Sequence, residues 1–327
     1  MTVTTAVKRE TKGAVPSTLR GEFSALIDFR HAGPTTVPIR YELAGPSDAP
    51  LLLVTGGISA RRHVIANSSD PEEGWWQSQS PTLSRYRLLS IDWLGADGDL
   101  DRPIDASDQA QALLATLDEL GLPSAAAFLG ASYGAMVGMH CAAIAPDRIG
   151  ALLAISGAHR SHPFTSAQRA LQRQAIELGE RLGSPEAGVA LARKLAILTY
   201  RTPEEFAERF AEPSAIERDR ARVSSEPYLD HMGDRHSARM SAIAYRRLSE
   251  SIDLHRIDPA TIGVPSTFVA VVSDQLVPAE DIEALALEVR ESRFISITSL
   301  YGHDAFLKEE NAVATIIETF LDSLEQR

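Results

Sequence analysis

Two segments near the amino terminus, Phe23 to Phe29 and Val37 to Leu43, alternate apolar and polar residues with the period of two of a half-buried strand. HAGPTT between them supplies a turn, so they predict a hairpin at a sheet edge. The pattern then changes. Leu51 to Val54 is a continuous apolar run of the kind buried on both faces of a parallel sheet, and it ends in Thr55, Gly56 and Gly57. Further strands are predicted at Tyr86 to Trp93, Ala125 to Leu129, Ala151 to Ile155, Ser266 to Val272 and Arg293 to Ile297. A helix ending at Leu120 sets Ala112, Leu113, Leu117 and Leu120 on one face, with Ser107 or Asp108 as its cap and Gly121 and Pro123 closing it. Strands alternating with helices predict a mostly parallel, doubly wound α/β sheet whose ligands bind outside the strands' carboxyl ends.

From Pro163 to about His255 only helical periods appear, among them QRALQRQAIELGERL, AGVALARKLAILTY and MSAIAYRRLSESI, and TPEE at Thr202 to Glu205 has capping-box spacing. The expected organisation is a mobile polar arm over residues 1–20, an α/β core over 21–160 and 256–327, and an all-helical lid over 161–255 that covers the sheet's carboxyl edge. Trp75 and Trp76 either cap the core or wall a cleft.

The stretch AAAFLGASYGAMVGMHCAAIAPDRIGALLAISG carries the first chemistry. A strand enters the G-x-S-x-G turn Gly130-Ala131-Ser132-Tyr133-Gly134, and a small-residue helix leaves it. Glycines on both sides let strand and helix backbones approach, which exposes the serine hydroxyl at the amino end of a helix, where unpaired N–H groups suit an oxyanion. The Gly56-Gly57 exit from its neighbour strand is either a plain turn or the source of a second oxyanion N–H.

Composition narrows the partners. The 327 residues hold 32 lysines and arginines against 44 acids, a net charge of −12 with no long basic run, so nucleic acid is not an expected partner. The one cysteine, Cys141, excludes an intramolecular disulfide and a cysteine metal cluster, and no zinc-helix spacing of histidines occurs, so no metal is assigned. No apolar span approaches the ~20 residues of a membrane helix, and the amino terminus lacks a signal peptide's apolar core, from which a cytoplasmic location and no membrane partner are expected.

A serine hydroxyl needs a base to remove its proton, and the base needs a carboxylate to orient it. Asp274 and His303 each follow a predicted strand, and the order Ser132, Asp274, His303 is the triad order of the α/β-hydrolase fold. Taken singly, Asp274 reads as a helix cap and His303 as a loop histidine; with the elbow they read as one catalytic set, Tyr133 and Gly57 supplying the oxyanion hole.

The segments GASYGAM, RALQRQAI, ALARKLAILTYRTPEEFAERF, PYLDHMGDRHSARMSAIAYRRLSESIDLH, SDQLVP and YGHDAFL, in this order, resemble the homoserine O-acyltransferases, from Leu51 onward. The resemblance implies transfer of an acyl group from acetyl-CoA or succinyl-CoA to the hydroxyl of L-homoserine through an acyl-serine, in methionine biosynthesis. By that likeness Ser132 is the nucleophile, His303 the base and Asp274 its orienting acid; Arg173 binds the substrate carboxylate and Asp304 its amino group. Without the likeness Arg173 reads as a solvated helix residue. The resemblance also implies a homodimer through the lid helices and acyl-CoA as co-substrate, with no permanently bound cofactor. SHPFTSAQRALQRQAI is more similar to the succinyl-using branch, serine is an alternative acceptor, and the loop after WLG is reduced to ADGDLDRPIDASD. The rival enzyme on the same three residues is an esterase or thioesterase.

Overall fold

The computed structural model describes residues 18–325. The expected arm over 1–20 therefore lies outside the described residues as far as residue 17, while Thr18 to Arg20 already belong to the first strand.

Strands β1 (Thr18–Phe29) and β2 (Gly33–Ala44) form the expected hairpin, longer at both ends than the alternation suggests. They are followed by β3 (Leu51–Thr55), the short helix α1 (Ser80–Leu83), β4 (Arg87–Ile91), α2 (Ala106–Glu119), β5 (Ala127–Ala131), α3 (Tyr133–Ile144) and β6 (Leu152–Ile155). After the insertion described below come β9 (Ser266–Val271), α9 (Ala279–Glu288), β10 (Ser292–Ile297), α10 (Ala305–Lys308) and α11 (Glu310–Glu325). The eight strands are ordered β1-β2-β4-β3-β5-β6-β9-β10. β2 is antiparallel to β1 and β4, and every other pairing is parallel.

Apolar continuity is explained by two-sided burial. Leu51 and Leu53 pack into the core layer that holds α2, α3 and α9, whereas Leu52 and Val54 pack into the layer under α11. All residues of β3, β4, β5, β6 and β9 are buried, while β10, an edge strand with one neighbour, is only half-buried. The cap of α2 is Asp105 and neither of the residues expected: its carboxylate accepts from Ser107 N–H at 2.9 Å, and Asp108, three positions on, accepts from Asp105 N–H at 2.7 Å. An acid at each end of that four-residue frame makes a reciprocal capping box.

Between β6 and β9 lie α4 (Pro163–Arg181), α5 (Pro185–Tyr200), α6 (Pro203–Arg209), α7 (Glu226–Ser237) and α8 (Ala242–Leu254). Thr202 caps α6, its hydroxyl accepting from Glu205 N–H at 3.0 Å. Ile176, Val189, Ala192, Tyr245 and Leu248 are buried among these helices, and Tyr245 donates to Gln172 Oε1 at 2.9 Å. The insertion departs from an all-helical reading at one place, a ribbon of β7 (Ala215–Glu217) and β8 (Arg220–Arg222) turned by Arg218 and Asp219 at φ 47° and 62°. Both strands are three residues long and fully exposed, so no apolar alternation marks them. Among the described residues no helix is long and apolar enough to cross a membrane.

Close packing of α3 on the sheet depends on Gly138. A Cβ there would come within 2.7 Å of Phe128 Cδ1 and 2.9 Å of Leu152 Cδ1. Gly138→Val is therefore expected to lower the free energy of unfolding by about 1–3 kcal/mol through overpacking. Urea denaturation measures it, and an unchanged midpoint would show that the layers can part without penalty.

Candidate active site

The site is built where β3, β5 and the loops after β9 and β10 end. Ser132 occupies the turn between β5 and α3 at φ 56° and ψ −119°, a conformation that L-residues rarely adopt. The surroundings hold it there: Ser132 N–H donates to Ile155 O at 2.8 Å, and Gly134 N–H donates to Gly56 O at 2.8 Å. A side chain on Gly130 would strike the Gly134 carbonyl, and one on Gly134 would strike the Thr55 carbonyl. Both glycines of the pentapeptide are thus required by backbone contact.

The serine hydroxyl lies 2.7 Å from His303 Nε2, and His303 Nδ1 lies 2.7 Å from Asp274 Oδ2. Asp274 takes its place from the turn after β9, where its other oxygen accepts from Leu276 N–H at 2.8 Å and Val277 N–H at 3.0 Å. It caps a turn with one oxygen and meets the imidazole with the other. Pro278, not Asp274, precedes α9 at its cap. With the carboxylate accepting from Nδ1–H, Nε2 keeps a lone pair toward the hydroxyl. Burial pushes the His303 imidazole down, but the charge and hydrogen bond of Asp274 outweigh it and its pKa is raised above 6.5. A buried base so arranged can take a proton from Ser132 as the oxygen attacks a carbonyl.

Gly57 lies against the nucleophile: a Cβ on it would be 4.0 Å from Ser132 Oγ. Trp93 Nε1 donates to the Gly57 carbonyl at 3.0 Å and its ring meets Tyr133 edge-on at 5.0 Å, so one tryptophan braces both segments expected to form the oxyanion hole. Tyr133 also ties the elbow to the insertion, its hydroxyl 2.5 Å from Ser251 Oγ.

A cleft of about 200 Å³ opens from Ser132 and His303 and is lined by Gly57, Trp75, Arg193, Tyr200 and Asp304 among others. The tryptophan pair divides its duties. Trp76 is buried and donates to Phe306 O at 3.0 Å, while Trp75 stacks on it at 5.0 Å and walls the cleft. Asp304 lines the same cleft and pairs at 3.1 Å with Arg201, a residue the sequence reading did not single out. Its sequence signal is slight: Arg201 directly precedes the Thr202 cap, and helix geometry alone makes it one more surface arginine. Arg173 lies apart from these residues. It pairs with Asp253 at 2.7 Å and donates to Ser249 Oγ at 2.9 Å, and it does not line either cavity that adjoins Ser132. Its neighbour Arg169, one helical turn earlier and buried, does line the smaller of the two.

These features place a hydrogen-bonded Ser–His–Asp set on an α/β-hydrolase fold, and the family model described as "alpha/beta hydrolase fold" matches residues 49–310. The chain is 48% identical over 313 residues to the homoserine O-succinyltransferase of Xanthomonas campestris pv. campestris, covering 94% of this chain and 85% of that one. It is 32% identical over 287 residues to the homoserine O-acetyltransferase of Thermus thermophilus, covering 76% and 72%. The solved homoserine O-acetyltransferase of Bacillus anthracis superposes with a TM-score of 0.81 at 16% identity, over 92% of this chain and 98% of that one, a likeness of fold. The chain belongs to the homoserine O-acyltransferase family.

Asp274→Asn keeps a hydrogen-bonding group at the same place but loses the charge that stabilises imidazolium, so acylation of Ser132 is expected to slow by about 10³–10⁴-fold. Rapid-quench mass spectrometry checks it; a loss under tenfold would remove Asp274 from the relay. Because His303 must be neutral to accept the proton, kcat/KM should fall on acidification through an apparent pKa above 6.5. A limb at or below 6.5 would contradict the raised imidazole.

Proposed function

We propose that the protein transfers an acyl group from acyl-CoA, succinyl-CoA in preference to acetyl-CoA, to the hydroxyl of L-homoserine in two half-reactions. His303 takes the Ser132 proton as Oγ attacks the thioester carbonyl. The oxyanion is received by the N–H groups of Tyr133 and Gly57. When the carbon–sulfur bond breaks, the proton passes from His303 to the departing thiolate. Homoserine then enters, His303 takes its hydroxyl proton, and the alkoxide displaces Ser132, which recovers a proton from His303. Asp274 holds the imidazole through both halves.

The observation that carries the choice of acceptor is the Arg201–Asp304 pair beside the relay. An amino acid brings one ammonium and one carboxylate, and a neighbouring carboxylate and guanidinium can exchange partners with them at little electrostatic cost. Asp304 keeps the ammonium role the family resemblance implies, and Arg201 takes the carboxylate role in place of Arg173, which is engaged with Asp253. The succinyl preference draws on the 48% relative and on two buried donors of the cleft, Trp75 Nε1 and Arg193 Nε, which have no partner among the described residues and suit an anionic acyl tail.

The helical insertion, residues 161–255, serves as the lid that keeps water from the acyl-serine. It also carries the dimer contact: Leu171 and Leu178 on α4, Leu182 at its carboxyl cap, and Leu191, Leu195 and Leu198 on α5 are exposed at helical spacing, and such a stripe is a natural surface for a second copy. Hydrolysis to free acid is the competing outcome, since the same relay can activate water.

Thiol release from succinyl-CoA, acetyl-CoA or no donor is to be measured with L-homoserine, L-serine or no acceptor. The expected result is release at least tenfold faster with succinyl-CoA plus homoserine than in any other arm, and an equal rate without acceptor would establish a hydrolase instead. Leu178→Glu combined with Leu195→Glu should convert the sedimenting species from dimer to monomer, and sedimentation unaffected by both changes would place the contact elsewhere.

A further inference from the structure

A second cavity, of about 290 Å³, lies between the turn after β3 and the insertion, lined by Ser59, Arg61, Arg193, Met232, Arg235, His236, Arg239 and Met240. Ser59 and Arg193 also line the cleft that holds Ser132 and His303, so the two spaces adjoin. Four guanidiniums meet here in a chain whose net charge is −12. Other arginines of the insertion are paired: Arg169 and Arg173 share Asp253, and Arg246 pairs with Glu180. In this cavity Arg193, Arg235 and Arg239 have no carboxylate within salt-bridge distance among the described residues, and the partner of Arg61, Asp97, is shared with Arg40.

Two buried polar atoms on its lining residues, Arg193 Nε and His236 Nε2, have no hydrogen-bond partner among the described residues. Burial, reinforced by the Arg193 charge, pushes the His236 imidazole down to about 3, so at neutral pH this ring is uncharged and the positive charge of the cavity comes from the arginines. Guanidiniums gathered around one concave surface favour an anion, and phosphates suit them because each presents several oxygens to planar N–H forks. The reading that follows rests on the transferase assigned above and deepens it.

We infer that this arginine-lined cavity receives the phosphate groups of the acyl-CoA donor, with Arg61, Arg235 and Arg239 as their contacts, and that the uncharged arm of the donor runs past Ser59 and Arg193 to bring its thioester to Ser132. Arg235 and Arg239 come from α7 and the turn after it, whereas Arg61 comes from the core. The donor would therefore bridge the insertion and the sheet domain. This is a different charge site from the Arg201–Asp304 pair, which belongs to the acceptor.

The test compares wild type with the double variant Arg235→Ala, Arg239→Ala, both exposed positions, using succinyl-CoA and succinyl-pantetheine, which carries the same acyl group without phosphates. The expected result is a rise of at least tenfold in KM for succinyl-CoA, with a change below twofold for succinyl-pantetheine, and a weaker dependence of the succinyl-CoA KM on salt between 50 and 500 mM than in wild type. Equal effects on both donors would assign these arginines to the acyl carboxylate, and no effect on either would empty the cavity of a role; both outcomes overturn the inference. Calorimetric titration with CoA alone separates this from the transferase reading. If CoA binds wild type at least tenfold more tightly than the double variant but homoserine is never acylated, the acceptor assignment fails and the phosphate site stands. If homoserine is acylated and CoA binds both proteins equally, the reverse holds.

Discussion

Everything in the site depends on how closely three backbones approach one another around Ser132. The turn after β3, the end of β5 and the first turn of α3 touch through glycines, with Gly134 against the Thr55 carbonyl and Gly130 beneath Gly134. That contact is what allows a serine to persist at φ 56°, since the hydrogen bonds from Ser132 to Ile155 and from Gly134 to Gly56 would be lost if the turn relaxed. Local strain of this kind costs on the order of 1–3 kcal/mol and survives only where the surroundings over-determine it. The core layers on both faces of the sheet provide that over-determination.

The relay is an electrostatic arrangement as much as a geometric one. Asp274 and His303 are both buried, a costly state for ionisable groups unless each finds a partner. They find each other at 2.7 Å, and two N–H groups of the Leu276–Val277 turn take the carboxylate's other oxygen. The same burial that would disfavour an imidazolium thus becomes the medium in which a nearby carboxylate stabilises it most effectively. Tyr200, stacked on the His303 ring at 6.0 Å, and Phe306, edge-on at 6.0 Å, keep that environment apolar.

Around this relay, charge is sorted by function. The acidic surface of the molecule carries ordinary exposed ion pairs, which contribute little to stability. The Arg201–Asp304 pair is different because its Asp304 lines the cleft beside His303, and the Arg193, Arg235 and Arg239 group is different because no carboxylate lies within salt-bridge distance of it among the described residues. The insertion supplies Arg193, Arg201, Arg235 and Arg239, the sheet domain supplies Ser132 and His303, and Arg193 meets Ser132 and His303 in one cleft.

What was legible in the sequence was whatever depends on local order along the chain. Apolar runs set the strands, because burial on both faces demands continuity, and the order serine, acid, histidine at strand ends followed from alternation of strand and helix. The glycines around Ser132 could be read because only glycine tolerates such contact. The sequence had no means of showing which of many arginines on one insertion face the nucleophile. Arg169, Arg173, Arg193 and Arg201 all sit on or at the ends of neighbouring helices with similar spacing, and only the packing of α4, α5 and α8 sends Arg173 to Asp253 and Arg201 to Asp304. The Asp105 cap and the exposed β7–β8 ribbon were hidden for a related reason: each is decided by a few hydrogen bonds and carries no periodic signal. Local periodicity reports burial, whereas the pairing of charges distant in sequence is settled only when the chain closes on itself.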